Sequence, residues 1–153
     1  MNKEESIKFA QKYLEDILSF FGANINVSSS YDDDVIELSV PSSSLNSILI
    51  GRNAETMRSF QYLISTVLRN NNAEMTRVNV DVADYKRQRA ERVTKQAREW
   101  IEKVRHTGNT YIGSLNAADR RIVHKVASEY SDISTHSEGE GKDRKIIIAQ
   151  TSS

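Results

Sequence analysis

A candidate phosphate-binding loop consists of Gly51, Arg52, Asn53 and Ala54. It separates two helical patterns. Glycine lets a backbone approach a phosphate closely because it has no Cβ atom, and the helix that restarts after it points free N–H groups and its positive dipole end at the same place. We therefore predict a backbone-binding loop over a groove for bases, floored by Leu49, Ile50 and Met57. The alternative is an ordinary connector between two helices.

A second candidate site contains Arg120 and His124, which stand four residues apart in a helical pattern and so share one face. Arginine offers a planar fork to phosphate or a surface for a base, and imidazole can also stack. Arg121 and Lys125 add charge beside them. The opposite, buried side is predicted to consist of Ile122, Val123 and Val126. The alternative is a structural pair that holds its helix to a sheet.

A run of basic residues lies between the two candidate sites, and its first members are Lys86, Arg87 and Arg89. Such a run can follow a phosphate backbone. The alternative is a solvated helix face, partly paired with Glu91 and Glu99, and we favour that alternative for the later members Lys95 and Arg98.

Composition indicates a globular protein that is not an enzyme. The chain has 153 residues, no cysteine and three histidines, which fall into no metal-ligand spacing. No Walker, Rossmann or nucleophile-elbow pattern occurs, so no catalytic residue, metal or cofactor is predicted. No signal peptide and no apolar run of about 18 residues is present, so the expected location is the cytoplasm and no membrane span is expected.

The net charge of zero is a cancellation between the two halves of the chain. Residues 1–82 hold 7 Lys and Arg against 11 Asp and Glu, a net charge of −4, whereas residues 83–153 hold 14 against 10, a net charge of +4. A basic half indicates a polyanionic partner, or else uneven surface charge without one.

Hydrophobic periodicity and turn residues predict two α+β domains. In residues 1–82 we expect helix 5–21 ended by Gly22, a short strand at Ile25–Val27, a polar turn at 28–34, strand 35–40, a short helix capped by Ser42–Ser44, helix 54–70 and strand 77–82. Beyond them we expect a long helix at 84–106, a helix capped by Asn116, and a hairpin of 133–137 with 144–149. The first domain has three strands with helices on one face of the sheet.

Several segments resemble the bacterial Jag family, which places a KH domain before an R-three-H domain, named for its Arg-x-x-x-His motif. The loop segment that carries the resemblance is Leu49-Ile50-Gly51-Arg52-Asn53-Ala54-Glu55-Thr56, continued by Gln61-Tyr62-Leu63. Further segments are Asp84-Tyr85-Lys86-Arg87-Gln88-Arg89, Arg120-Arg121-Ile122-Val123-His124 and Ser137-Glu138-Gly139-Glu140. The match runs from about residue 5 to residue 149.

The resemblance implies a type II KH domain over 1–83 and a small α+β R-three-H domain over 84–153, which includes the long connecting helix 84–106. It implies non-catalytic binding of single-stranded RNA at both candidate sites, with that helix fixing their spacing. It further implies a bacterial source, a role in regulating cell elongation or division, and a small stand-alone KH protein as a partner. Single-stranded DNA as the ligand and a protein-binding scaffold are the alternatives, and the oligomeric state stays open.

The chain departs from the family pattern in two places. The family's loop usually ends in glycine, whereas this loop ends in Ala54. Alanine fits a helix start but does not adopt positive φ at little cost, so we expect altered loop geometry. Many family members also carry an additional N-terminal domain, whereas the first helix here begins almost at Met1. We therefore expect a short form, without the functions tied to that domain.

Overall fold

The computed structural model describes residues 1–151. The described chain divides into two compact units, the first from Met1 to Lys86 and the second from Arg87 onward. The predicted C-terminal domain extends to residue 153, and its last two residues lie outside the described ones. Each unit has its own buried core.

The first unit contains three helices and a three-stranded sheet. In chain order the elements are α1 (Lys3–Ser19), β1 (Ser28–Asp32), β2 (Val35–Val40), α2 (Asn46–Ile50), α3 (Glu55–Asn70) and β3 (Arg77–Val82). The sheet order is β1-β2-β3. β1 is antiparallel to β2, and β2 is parallel to β3, with Ile36 opposite Val78. This element order agrees with the α+β domain predicted from the sequence.

Apolar stripes on the helices and alternating residues on the strands form the core of the first unit. Leu14 and Leu18 of α1 and Ile64 and Leu68 of α3 are fully buried, because helical spacing places each pair on one face. They pack against the inward side chains of β2 and β3, namely Ile36, Leu38, Val40, Val80 and Val82. The helices therefore cover one face of the sheet, as predicted.

The first strand lies later in the chain than predicted. The strand expected at Ile25–Val27 is wrong, because β1 occupies the polar segment that was assigned to a turn. Asp32 pairs with Val35, which leaves a two-residue hairpin turn in which Asp33 adopts a φ of 56°. Serine-rich sequence is compatible with β1 because it is an edge strand with mostly exposed side chains.

The start of α2 also differs from the prediction. Leu45, not one of the preceding serines, occupies the N-cap position, and its side chain makes no capping hydrogen bond. Ser43 contributes one step earlier, since its Oγ accepts a hydrogen bond from the Leu45 N–H at 3.1 Å. The prediction that Ser42–Ser44 cap this helix is therefore wrong, although the break at Gly51 is confirmed.

The second unit contains two helices and a second three-stranded sheet. The elements are α4 (Tyr85–Thr107), which begins at the end of the first unit, β4 (Tyr111–Ser114), α5 (Ala117–Ala127), β5 (Ile133–Glu138) and β6 (Lys145–Gln150). The sheet is antiparallel in the order β4-β6-β5. The helices and the hairpin lie within one or two residues of their predicted bounds, whereas β4 was not predicted.

One face of the second sheet packs against α4 and α5. Val93, Ala97 and Ile101 of α4 and Val123 of α5 are fully buried, and they form one core with strand residues that include Ile146 and Ile148. Among residues 1–151, no helix is long and apolar enough to cross a membrane.

Candidate nucleic-acid interface

The loop between α2 and α3 has an unusual backbone. Gly51 has φ 75° and ψ 173°, and the two residues before α3, Asn53 and Ala54, both lie in the left-handed region with φ of 54° and 60°. The Gly51 N–H donates to the Ser47 carbonyl at 2.9 Å and ends α2. The expectation that alanine does not adopt positive φ is therefore wrong for Ala54, which carries the cost of that conformation.

The side chains of the loop separate into exposed and buried ones. Arg52 and Asn53 are exposed, and neither side chain makes a hydrogen bond to any residue within 1–151. The predicted apolar floor is wrong for Leu49 and Met57, because both are buried in the core of the first unit and present no surface to a base. Beside the loop, the exposed face of α3 forms a shallow depression of about 560 Å³, lined by Glu55, Arg58, Ser59, Tyr62 and Leu63.

Replacing Gly51 with alanine is expected to destabilise the first unit. A Cβ at this position would lie 2.2 Å from Thr56 Oγ1 and 2.9 Å from the Thr56 backbone nitrogen. The backbone conformation is one that essentially only glycine adopts and costs another residue about 1 to 3 kcal/mol. Urea unfolding followed by circular dichroism should therefore show a lower free energy of unfolding for Gly51→Ala.

Ala54→Gly provides the matched control for this loop. Glycine would relieve left-handed strain of about 1 to 2 kcal/mol, while the loss of a buried methyl group and added chain entropy cost about as much. We expect nearly unchanged stability and nucleic-acid binding that is equal or tighter. Equal stability of Gly51→Ala and the native chain would show that the loop does not require glycine.

In the second candidate site, α5 is positioned by its cap and its buried face. The side chain of Asn116 accepts a hydrogen bond from the Asp119 N–H at 2.8 Å, which confirms the predicted cap. Asp119, Val123 and Val126 face inward, and Asp119 is only 3% exposed. This orientation leaves Arg121 and Lys125 exposed on the outer side of the helix.

Arg120 and His124 lie on the flank of α5 and are half-buried. The guanidinium of Arg120 donates to the Leu115 carbonyl at 2.5 Å. The two ring nitrogens of His124 lie 2.6 Å from Thr135 Oγ1 and 3.1 Å from Ser137 Oγ, so the imidazole joins α5 to β5. The expectation that both side chains are fully exposed is therefore wrong, and both hold local structure whatever else they contact.

The surroundings of His124 are positively charged. Burial lowers the pKa of His124 below its ordinary value of 6.5, and the nearby charges of Arg120, His136 and Arg144 lower it further. Arg144 is held in place by a hydrogen bond from its Nη1 to the Gly139 carbonyl at 2.7 Å. This side of α5 therefore presents a neutral imidazole within a positive field, which suits a polyanion.

The lowered pKa of His124 predicts a pH-dependent stability. As the pH falls, the unfolded chain binds a proton at this side chain before the folded chain does, so its stabilising contribution is complete above about pH 6.5 and is lost below that value. We expect a lower urea midpoint at about pH 5 than at about pH 7.5, and a smaller difference in His124→Gln, which cannot titrate. An identical pH dependence in the two proteins would contradict this role.

The contacts that β5 and β6 make to this site were missed from the sequence. Thr135 and Ser137 alternate with exposed residues along β5, and this spacing was the available signal that both face α5. Arg144 precedes β6 and was not selected because nothing local ties it to Arg120 or His124.

The three basic residues at the start of α4 make protein contacts. Lys86 Nζ donates to the side-chain oxygens of Gln61, at 2.9 Å, and Asn79. Partial desolvation lowers the pKa of Lys86, against the opposing pull of Asp81 and Glu37. These contacts hold Lys86 against the first unit.

The other two of these basic residues form ion pairs in the second unit. Arg87 pairs with Glu91 at 3.0 Å on the exposed surface of α4. Arg89 pairs at 2.8 Å with Asp119, whose side chain is only 4% exposed. Surface pairs contribute little to stability, but a buried carboxylate needs its partner. No group of three or more metal-ligating side chains occurs within residues 1–151.

Comparison with known families identifies the second unit. Residues 91–150 match the R-three-H domain. The match contains α5 with Arg120 and His124, both strands that contact these side chains, and most of α4. The R-three-H domain therefore covers the part of the chain in which the sequence predicted an Arg-x-x-x-His site.

Similarity to curated proteins extends over nearly the whole chain. The RNA-binding protein KhpB of Clostridium symbiosum is 28% identical over 142 residues, which cover 92% of this chain and 64% of that protein. KhpB of Bacillus subtilis is 23% identical over 152 residues, 97% of this chain and 73% of that protein. KhpB of Streptococcus pneumoniae strain R6 is 23% identical over 137 residues, 89% of this chain and 42% of that protein. The chain therefore spans only part of the length of each of these relatives.

Proposed function

We propose that this chain binds single-stranded RNA without catalysing a reaction. The observation that carries the proposal is the α5 surface of the R-three-H domain, which we define as Arg120, Arg121, His124, Lys125 and Arg144. Exposed cations there can neutralise phosphates, and the half-buried arginine and imidazole offer planar groups to bases. The relatives, which are named RNA-binding proteins and align with most of the chain, support this ligand class.

The first unit contributes a second contact in this proposal. Residues 1–83 form a KH domain whose loop, Gly51 to Ala54, holds the backbone of a few nucleotides. The support is the glycine backbone at a helix start together with the exposed side chains of Arg52 and Asn53, which make no hydrogen bond to the described residues. Because both contacts belong to one chain, binding at one raises the effective concentration of the strand at the other.

The roles of the individual candidate residues follow from their contacts. Arg121, Lys125, Arg52 and Asn53 are proposed to contact the strand directly, since their side chains are exposed. Arg120 and His124 are proposed to contact it through the parts that their structural hydrogen bonds leave accessible. Lys86, Arg87 and Arg89 are proposed to act through the structure they hold, because each makes a protein contact.

Strand form tests the proposal, because both sites are suited to unpaired bases. Stacking of a base on an aromatic ring or guanidinium contributes about 1 to 3 kcal/mol, and a duplex hides those faces. Fluorescence anisotropy with a labelled single-stranded RNA and its matched duplex should give tighter binding of the single strand by at least about tenfold. Equal affinity for both forms would contradict the proposal, and a matched DNA strand tests the sugar preference.

A protein-binding scaffold is the second candidate, and the exposed face of α3 is the observation that favours it. Tyr62 is 69% exposed and Leu63 46% exposed, and nearby Ile48 of α2 is 56% exposed. Exposed apolar surface of this kind is typical of protein contacts. Binding of RNA that is insensitive to salt would favour this alternative, because phosphate contacts release counterions.

The cellular setting is proposed from the family resemblance alone. We propose that the protein acts in the cytoplasm in the regulation of bacterial cell elongation or division, and that a small stand-alone KH protein is its partner. Altered cell length on deletion of its gene, restored by the native chain but not by a binding-deficient variant, would support this role.

A further inference from the structure

A small cavity in the second unit lies outside the α5 surface. Its walls come from the last turns of α4 and the segment that leads into β4. Trp100, Lys103, Val104 and Thr107 share one face of α4, and Asn109, Thr110 and Tyr111 close the other side. The chain reverses at Gly108, which has a φ of 75°. We call this space, of about 230 Å³, the aromatic cavity.

Two stacked rings form the wall of the aromatic cavity. The indole of Trp100 and the phenol ring of Tyr111 lie 4.6 Å apart between centroids, with 15° between their planes. Gly113 makes this arrangement possible, because a Cβ there would lie 2.8 Å from both Cε1 and the hydroxyl oxygen of Tyr111. Burial raises the pKa of Tyr111, so the phenol stays protonated and neutral beside an anionic strand. The stacking wall is therefore held in position before any ligand arrives.

The mouth of the aromatic cavity is polar and carries one cation. The side chains of Lys103, Asn109 and Thr110 are exposed, and none of them makes a hydrogen bond to another residue within 1–151. They thus offer an ammonium group, an amide and a hydroxyl to a ligand. Val104, which is 2% exposed, provides an apolar surface deeper in the wall.

We propose that the aromatic cavity binds one nucleobase of a single strand, which stacks against the Trp100–Tyr111 pair while Lys103 contacts an adjacent phosphate. A flat aromatic wall, polar groups at the edge and a nearby cation match the face, the edge and the phosphate of a nucleotide. The volume is below the usual range for drug-sized ligands, so a single base is the appropriate occupant. This inference rests on the proposed function and adds a third contact to it.

The single tryptophan of the chain provides a local readout for this contact. A short fluorescein-labelled oligouridylate and the matching oligoadenylate are titrated with the full chain, and binding is followed by anisotropy. In parallel, the unlabelled strands are added while Trp100 emission is excited at the red edge of its absorption. We expect saturable quenching of Trp100 with the same midpoint as the anisotropy.

Matched charge variants locate the contact. Lys103→Glu should weaken binding about tenfold, as loss of one charged contact does, and should leave the melting temperature unchanged because Lys103 is exposed. Lys95→Glu makes the same charge change eight residues earlier on α4 and should have a much smaller effect.

The possible outcomes separate this inference from the proposed function. Strand binding by anisotropy with unchanged Trp100 emission would overturn the cavity assignment alone, as would equal losses from Lys103→Glu and Lys95→Glu. No binding by anisotropy would overturn the proposed function and the cavity assignment together.

Discussion

Replacing Arg89 with alanine is expected to lower the free energy of unfolding of the second unit by about 2 to 3 kcal/mol. The variant leaves the carboxylate of Asp119, which is only 4% exposed, without the guanidinium that lies 2.8 Å away. For a unit of this size the loss corresponds to a fall in melting temperature of about 10 °C or more. Trp100 lies in the same unit, so thermal unfolding followed by its fluorescence measures the effect directly.

Arg92→Ala is the matched control for this prediction. Arg92 is exposed on α4 three residues after Arg89, and its loss should change stability by less than about 0.5 kcal/mol. We also expect Arg89→Ala to bind single-stranded RNA nearly as well as the native chain at temperatures where it remains folded. Similar stabilities of the two variants would show that Asp119 does not depend on Arg89. A large affinity loss in a folded Arg89→Ala protein would instead make Arg89 a contact residue.

Reversing the charges of Arg121 and Lys125 together is expected to weaken binding of single-stranded RNA by on the order of 100-fold. Each replacement with glutamate removes a charged contact and places a carboxylate against phosphate. Both side chains are exposed on α5, so folding should change little. The expected cost in stability is about 0.5 kcal/mol, from an acidic residue in the last helical turn. Anisotropy and thermal unfolding on the same samples separate the two quantities.

Lys8→Glu with Lys12→Glu gives a control of identical charge change and spacing. These lysines are also exposed and lie four residues apart on α1, in the first unit. Their reversal should reduce affinity only through the weaker long-range field, which salt screens. Equal losses from the two double variants would mean that net charge alone, and not the α5 surface, determines binding.

Local sequence signals predicted the elements that carry the candidate sites. The bounds of β2 and β3 match the prediction because alternation and Pro41 define them locally. The start of α5 was predictable because the side chain of Asn116 is a strong cap. The break at Gly51 was predictable for the same reason, since its conformation is a property of one residue type.

Features that depend on tertiary partners were not predictable. The strands β1 and β4 carry weak strand signals of their own, and each forms because a neighbouring strand pairs with it. The spacing of Arg120 and His124 was evident, but their half-burial depends on Leu115 and on hydroxyl groups of β5. Likewise, nothing near Arg89 in the sequence indicates that a buried carboxylate thirty residues away is its partner.

The salt dependence of RNA binding tests the central claim most directly. For the native chain we expect the logarithm of the association constant to fall linearly with the logarithm of salt concentration, by about 0.7 per phosphate contact on a single strand. Arg52→Asp with Asn53→Asp should bind more weakly with a shallower slope that is still not zero, because the α5 surface retains its contacts. A native slope near zero, or no detectable binding at low salt, would contradict the account.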